Sequence, residues 1–565
     1  MEPVEARMPP GRRRALLAVP AGAALAVLLP ALGAGFVHDD VPQILGNPLL
    51  RDLARIPELW TSGVWAGAGS GSSWYRPLMT TSFALEHALF GFSAPAMHAV
   101  QLGCYAAVVT LGVLLVRRVQ GDGTTAVLAG LLFATHPLGV EPAVWISARC
   151  ELLAAGGGLA AMGLHARALA SDDARRARRL DLAAAACLGL ALFGKENAVG
   201  FVPALVALDA VAGASLAPAA LLRRHAVFLA ACGAYAALRT AALGSVSGGL
   251  GGTVALGDWL GAWGQGLLRC LWPRALTISP PAPGPTHVAL GAATVLAAIA
   301  AGLAGLRRRG PWLVPLVLGG AQLAIAAVAA VRVGELADRY LLLPCLALAW
   351  GVAAALRRAL PAPAATALVL ALAVALGAAA RGHVAVFHDD QTLWTDAWSK
   401  NPASLRAAVN LAAGALGRDD PRTAEVWLAR AAALDPDDRQ VLLNRAVAAD
   451  RLGRPEEARR LLERLVARDA GDAAAQLALG HLALDRRDAD EAARRYRAVL
   501  GLRPGAAEAW AGLGVAEHDR GDRDAARDAL ARALALDPNV ANAASLRRLL
   551  RELGGAAPEG GSRVD

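Results

Sequence analysis

The chain has 565 residues, 56% of them hydrophobic, with a mean hydropathy of +0.41. Apolar runs this long and this numerous exclude a soluble enzyme and specify a polytopic membrane protein. The net charge of +9 does not point to nucleic acid, because arginine blocks that hold loops on the cytoplasmic side account for it. Six cysteines, all in the apolar half, have spacings that suggest neither a zinc site nor a disulfide framework.

In chain order, a basic head (1–14, with Arg7, Arg12, Arg13 and Arg14) precedes a first apolar run over 15–37. Asp39 and Asp40 stand where that run ends, and the loop 38–95 follows. Further runs of spanning length are expected near 96–116, 124–143, 148–168, 198–214, 225–243, 287–306, 311–330, 340–357 and 362–380. The shorter run 181–194 is ambiguous between a tight span and a re-entrant segment, and counting it gives about 11 spans. The arginine blocks at 117–118, 175–179, 223–224, 307–309 and 357–358 then share one side with the head. By the positive-inside rule that side is cytoplasmic, so the N-terminus is expected inside and the C-terminal half outside.

With this topology the outer face collects Asp39-Asp40, Trp74-Tyr75-Arg76-Pro77, His136-Pro137 with Glu141, Arg149 with Glu151, Gly194-Lys195-Glu196-Asn197, and Glu335 with Asp338-Arg339-Tyr340. Ionisable groups converging at span ends mark a pathway or a site. Of the 56 lysines and arginines only Lys195 and Lys400 are lysines. Lys195 therefore reads as a position that needs a compact ammonium in place of a guanidinium fork.

The layout continues with a linker over 381–402, then a repeat of 34 residues from 403 to 538. Pro402, Pro436, Ala470, Pro504 and Pro538 share one column. Ala412, Ala446, Gly480 and Gly514 share a second, and Ala424, Ala458, Ala492 and Ala526 a third. Small residues at helix crossings and proline after the second helix are the signature of tetratricopeptide (TPR) repeats, a solenoid that binds proteins or peptides. Four repeats, a capping helix over 539–553 and a disordered tail over 554–565 are expected. The fold class is all-α: a membrane helix bundle followed by a TPR α-solenoid.

The stretches Phe36-Val37-His38-Asp39-Asp40, Tyr75-Arg76-Pro77-Leu78, His136-Pro137-Leu138-Gly139-Val140-Glu141, Trp145 with Arg149-Cys150-Glu151-Leu152, Gly194-Lys195-Glu196-Asn197, Leu271-Trp272-Pro273 and Ala337-Asp338-Arg339-Tyr340-Leu341, with Leu393-Trp394 before the repeats, resemble the transmembrane and TPR-repeat (TMTC-type) O-mannosyltransferases of the GT-C class. Gly194 and Asp338 depart mildly from that pattern, where serine and glutamate are common.

The resemblance implies a polyprenyl-phosphate-linked sugar as donor and membrane lipid around it. A protein hydroxyl is the implied acceptor, and the TPR groove binds that acceptor or a partner. Asp39 or Asp40 suits the general base, Asp40 slightly favoured, because a neighbouring like charge raises one carboxylate's pKa. Lys195, Arg339 and Arg149 suit the donor phosphate, while Arg76, His136, Glu141, Glu196 and Asp338 orient or complete the pocket. No cofactor is expected, although paired acids can bind a divalent metal. The triplet His388-Asp389-Asp390 is assigned to the linker. Two alternatives remain open: the same chemistry on a glycan, lipid or envelope polymer, and a non-enzymatic membrane-anchored TPR scaffold.

Overall fold

A computed structural model describes residues 10–68, 74–245 and 253–554. Most of the basic head (1–9) and of the expected tail (555–565) lies outside the described residues. Among the described residues the chain is helical, with no strand. Its contacts divide it into two units, Met1–Ser404 and Leu405–Asp565.

The first unit contains α1 (Pro10–Leu28), α2 (Ile56–Trp60), α3 (Pro77–Phe90), α4 (Ala94–Gln120), α5 (Gly123–Ala134), α6 (Val140–Val144), α7 (Arg149–Leu169) and α8 (Ala174–Gly194). It continues through α9 (Phe201–Val211), α10 (Pro218–Leu243), α11 (Leu256–Leu271), α12 (Pro285–Arg308), α13 (Leu313–Val333), α14 (Leu342–Ala359), α15 (Ala362–Val384) and α16 (Asp390–Lys400). Helix ends follow local chemistry. Asp122 caps α5 by accepting from the Thr124 and Thr125 amides, and Asp173 caps α8 through Arg175 and Arg176. Gly121 (φ 73°) closes α4 in the left-handed region that glycine adopts without steric penalty.

Eight described helices are long and apolar enough to cross a bilayer: Ala15–Gly33, Ala94–Gln120, Ile146–Leu169, Pro218–Leu243, Pro285–Arg308, Leu313–Val333, Asp338–Ala359 and Ala362–Phe387. A ninth follows if Gly123–Ala134 and Pro137–Val144, bent by 66°, form one broken span. The count differs from the 11 expected at two places. The apolar run 181–194 is the second part of α8, whose first turns carry Arg175, Arg176, Arg178, Arg179 and Asp181. The run 198–214 holds only the 11-residue α9 after a short 3-10 turn. The bend at His136-Pro137 is a proline effect: Pro137 has no amide to donate, and His136 Nδ1 accepts from the Leu138 amide instead.

The expected linker 381–402 is structured. It completes α15 and forms α16, which packs on the first unit: Lys400 Nζ donates to Leu276 O (2.8 Å) and Asn401 Nδ2 to Ser279 O (3.2 Å).

The second unit is a run of helix pairs: α17 (Leu405–Gly417) with α18 (Pro421–Leu434), α19 (Arg439–Arg451) with α20 (Pro455–Arg468), α21 (Ala473–Asp485) with α22 (Ala489–Leu502), and α23 (Ala507–Asp519) with α24 (Arg523–Leu536). α25 (Ala543–Glu552) follows. The small-residue columns sit where helices cross. Ala412, Ala424, Ala446, Ala458, Ala492 and Ala526 are buried, and a Cβ on Gly480 would meet the Tyr496 ring at 2.8 Å. Aspartate caps recur with the repeat: Asp420, Asp438, Asp472, Asp488 and Asp522 each accept from an amide in the first turn of the next helix. Arg454 and Ala506 occupy the same columns without a side-chain cap.

Candidate active site

The site gathers where α7 and α14 begin and α8 ends, under the segment that follows α1. That segment is unusual from its first residue. His38 adopts φ 51°, a conformation that costs a non-glycine residue about 1 kcal/mol or more and is retained where surroundings enforce it. Its amide donates to Asp390 Oδ1 at 2.6 Å, and its ring stacks on Trp145 (5.6 Å) and meets Trp394 edge-on (5.0 Å). Asp390 and Trp394 both belong to α16, so the triplet assigned to a linker helps to hold this segment. The one-turn π-helix Val41–Leu45 follows directly.

The two acids have different surroundings. Asp40 is fully buried. Its Oδ1 accepts from Ser147 N (2.7 Å) and Ser147 Oγ (2.6 Å), and its Oδ2 from Val37 N (3.1 Å). Burial raises its pKa to about 7; the Ser147 and Val37 hydrogen bonds oppose the rise and the charge of Asp39 adds only a little. The expected pKa elevation is therefore present, but desolvation causes it, and it falls on an acid without access to solvent. Asp39 has 27% of its side chain exposed and lies 3.3 Å from His38 Nε2. Of the two acids, Asp39 is the one that solvent reaches.

From His38 a continuous set of contacts runs to the cations. Trp145, stacked on His38, also lies under the Arg339 guanidinium (4.7 Å), which packs against the Tyr340 ring (4.8 Å) as well. Lys195 Nζ lies 4.2 Å from the centroid of the same Tyr340 ring. Each cation has one carboxylate. Glu141 takes Arg339 through Nη1 (2.5 Å) and through its backbone amide (3.2 Å). Glu151 takes Lys195 and also accepts from Asn197 Nδ2 (3.2 Å). Glu196 takes Arg76 at 3.4 Å, with Arg76 packed on Trp74 at 4.9 Å. Burial alone would raise the pKa of Glu196, but the charges of Arg76 and Lys195 outweigh it and hold the group below its ordinary value.

Arg76, Lys195, Arg339, Glu141 and Glu196 are thus brought together, and Asp39 connects to them through His38 and Trp145. Arg76 Nε, Glu196 Oε2 and Asn197 Oδ1 are buried here without a hydrogen-bond partner. Such groups are rare in native interiors and mark places where a ligand or water completes the bonding.

Three expected site residues are committed elsewhere. Arg149 is 1% exposed and directs its donors inward, to Glu86, Gln101 Oε1 (2.9 Å), Ser82 Oγ (3.3 Å) and Met97 O (3.3 Å). A guanidinium so engaged joins α7 to α3 and α4 and has four of its five N–H donors committed to the interior. Asp338 is 1% exposed and paired with Arg269, whose other bonds go to Leu336 O (2.6 Å) and Thr277 O (3.4 Å). His136 holds its bend through both ring nitrogens: Nδ1 accepts from Leu138 N, so Nε2 donates to Cys270 O at 3.1 Å. Glu151, Asn197, Trp145 and Tyr340, which lie within the quoted motifs, join the site as well. Their signal is their place beside the charged residues they contact.

An all-helical chain with eight or nine potential spans and a TPR region is a multi-pass membrane protein with a repeat domain. Tetratricopeptide repeat family models match residues 415–482 and 477–541. The chain is also similar to protein O-mannosyl-transferase TMTC2 of Mus musculus, 34% identical over 132 residues, 23% of this chain and 16% of that protein. Similar relatives are the Caenorhabditis elegans protein O-mannosyl-transferase F38B6.6 (30% over 145 residues, 25% and 21% of the two chains) and human TMTC3 (32% over 146 residues, 25% and 16%). The matched stretch thus spans about a sixth to a fifth of these relatives. Among solved structures, MamA matches at 21% identity and TM-score 0.24, over 26% of this chain and 81% of that one.

Proposed function

We propose that the chain is a membrane glycosyltransferase. It moves a sugar, mannose by analogy with its relatives' names, from a polyprenyl-phosphate-linked donor to a hydroxyl of a protein acceptor. The observation that carries this reading is the union, around Trp145 and Tyr340, of one reachable carboxylate with three cations whose donors are only partly used.

In this reading Asp39 removes the proton from the acceptor hydroxyl as its oxygen attacks the anomeric carbon. The bond from that carbon to the phosphate oxygen breaks, and the electron pair leaves with the polyprenyl phosphate. Arg339, Arg76 and Lys195 stabilise the charge that develops there. A single displacement inverts the anomeric centre.

An apolar cavity of about 640 Å³ between α11, α12, α13 and α14 supports a lipid-linked donor. It is lined by residues such as Trp263, Thr294 and Trp312, and it includes Cys270, whose carbonyl holds His136. The arginine blocks support a cytoplasmic N-terminus, because Arg175 to Arg179 begin α8 and Lys195 follows its end, about 30 Å away along the axis. The active site and the TPR array then face the extracytoplasmic side, where the array holds the acceptor or a partner.

The test is transfer of labelled sugar from polyprenyl-phosphate-linked mannose to endogenous protein in membranes carrying the chain. Protein-bound label that depends on Asp39 supports the reading. Label found only in lipid or glycan refutes the protein acceptor, and no Asp39-dependent transfer refutes the enzyme.

A further inference from the structure

A second buried polar cluster lies at the arginine-rich end of the first unit, away from Asp39. His165 sits near the end of α7, Asp181 in the third turn of α8, Asp209 near the end of α9 and His225 in the third turn of α10. Along α7, His165 is about 24 Å from Arg149, where the candidate active site begins. The side chains of His165 and Asp209 have no solvent exposure, and that of His225 has 5%.

The hydrogen bonds fix which atoms are available. His165 Nδ1 lies 2.8 Å from Asp181 Oδ1. A carboxylate only accepts, so Nδ1 carries a proton and Nε2 is left to offer a lone pair. Nε2 points at Asp209 Oδ1 from 3.4 Å, yet both atoms are buried without a hydrogen bond. His225 Nε2 donates to Asp209 Oδ2 at 2.5 Å, so it carries a proton that a metal ion bound between the two atoms displaces. One nitrogen from each histidine and one carboxylate oxygen thus lie within 4.8 Å of one another. The buried Asp209 also faces Arg224, 3.3 Å from its Oδ1, whereas the side chain of Asp181 is 21% exposed.

We propose that His165 Nε2, the Asp209 carboxylate and His225 Nε2 bind a divalent transition-metal ion of the zinc class, with Asp181 as the outer partner that sets the His165 tautomer. Two imidazoles and one carboxylate are a ligand set that zinc accepts, with a further position left for water. A carboxylate on the far nitrogen of a ligating histidine is the usual means of fixing its orientation. The ion ties α7, α9 and α10 together where α9 is only 11 residues long.

The experiment uses the full-length chain in detergent, purified without a histidine tag, stripped with chelator and titrated separately with Zn²⁺ and Co²⁺. The expected result is one equivalent of Zn²⁺ per chain by elemental analysis and a visible Co²⁺ ligand-field band. Both are lost in Asp209→Asn and His225→Ala. Asp181→Asn, which removes no ligand, keeps the site and weakens its affinity by about 10- to 100-fold, so the test stands if a ligand variant fails to fold. Wild-type protein that takes up neither ion overturns the proposal. Uptake unchanged in folded ligand variants overturns it too.

Discussion

Replacing Asp39 and Asp40 one at a time by asparagine separates chemistry from architecture, because the two neighbours do different things. Asp39→Asn removes a carboxylate that is 27% exposed. Loss of a general base lowers turnover by about 10²- to 10⁴-fold, equivalent to about 3–5 kcal/mol of barrier. At this partly exposed position, paired with His38, the substitution shifts stability by about 1 kcal/mol or less.

Asp40→Asn acts on a buried group that accepts three hydrogen bonds, from Val37 N, Ser147 N and Ser147 Oγ. The asparagine oxygen can keep the two from Ser147, but its amide then meets the Val37 N–H, donor against donor. One stranded pair costs about 1–3 kcal/mol of stability and leaves the folded fraction with turnover within about tenfold of wild type, since Asp40 touches no solvent. The assay pairs initial rates of sugar transfer with thermal unfolding in detergent on the same preparations. An inactive but fully stable Asp40→Asn beside an active Asp39→Asn would refute the reasoning.

Asp40 also gives a pH prediction. Its folded pKa of about 7 lies above the ordinary 3.8, so its contribution to stability is full below about pH 4 and is lost as pH rises through 7, by up to about 4 kcal/mol. Thermal midpoints between pH 5 and 8 should fall more steeply in wild type than in Asp40→Asn; equal slopes would count against the burial argument. Arg149→Met strands Glu86 in the interior and should cost about 3–5 kcal/mol, much of it recovered in Arg149→Met/Glu86→Leu by the same unfolding assay. Lys195→Arg must fit a wider cation between Glu151 and the Tyr340 ring, and transfer rates should drop at least about tenfold. In the repeat unit, a Cβ at Gly512 would lie 2.3 Å from the Tyr496 ring, so Gly512→Val should destabilise by about 1–3 kcal/mol, read as earlier loss of helical circular dichroism.

The helical classes were legible because they rest on periodicity and composition. Apolar runs declare spans, and the column of Ala424, Ala458, Ala492 and Ala526 declares helix crossings. The span count differs where hydropathy and helix length part company: α8 is long but begins in arginines, and α9 is apolar but short. At the site, residue type showed which side chains carry charge, not which way they face. Arg149 and Arg339 look alike in sequence, yet Glu86, Gln101 and Ser82 enclose the first, while the second lies over Trp145. The Asp39-Asp40 pair needed Ser147, 107 positions away, to show which acid is buried. The triplet at 388–390 read as a linker because the bond from the His38 amide to Asp390 spans 352 positions.

The central claim is that the cluster at Asp39 transfers sugar from a lipid phosphate to protein. The most direct measurement reconstitutes the purified chain in vesicles with synthetic polyprenyl-phosphate-mannose and follows released polyprenyl phosphate together with sugar on an added acceptor protein. The account predicts one phosphate released per sugar transferred, with both signals abolished in Asp39→Asn and retained in Asp40→Asn. Donor left intact by folded wild-type protein, or consumption equal in wild type and Asp39→Asn, would contradict it.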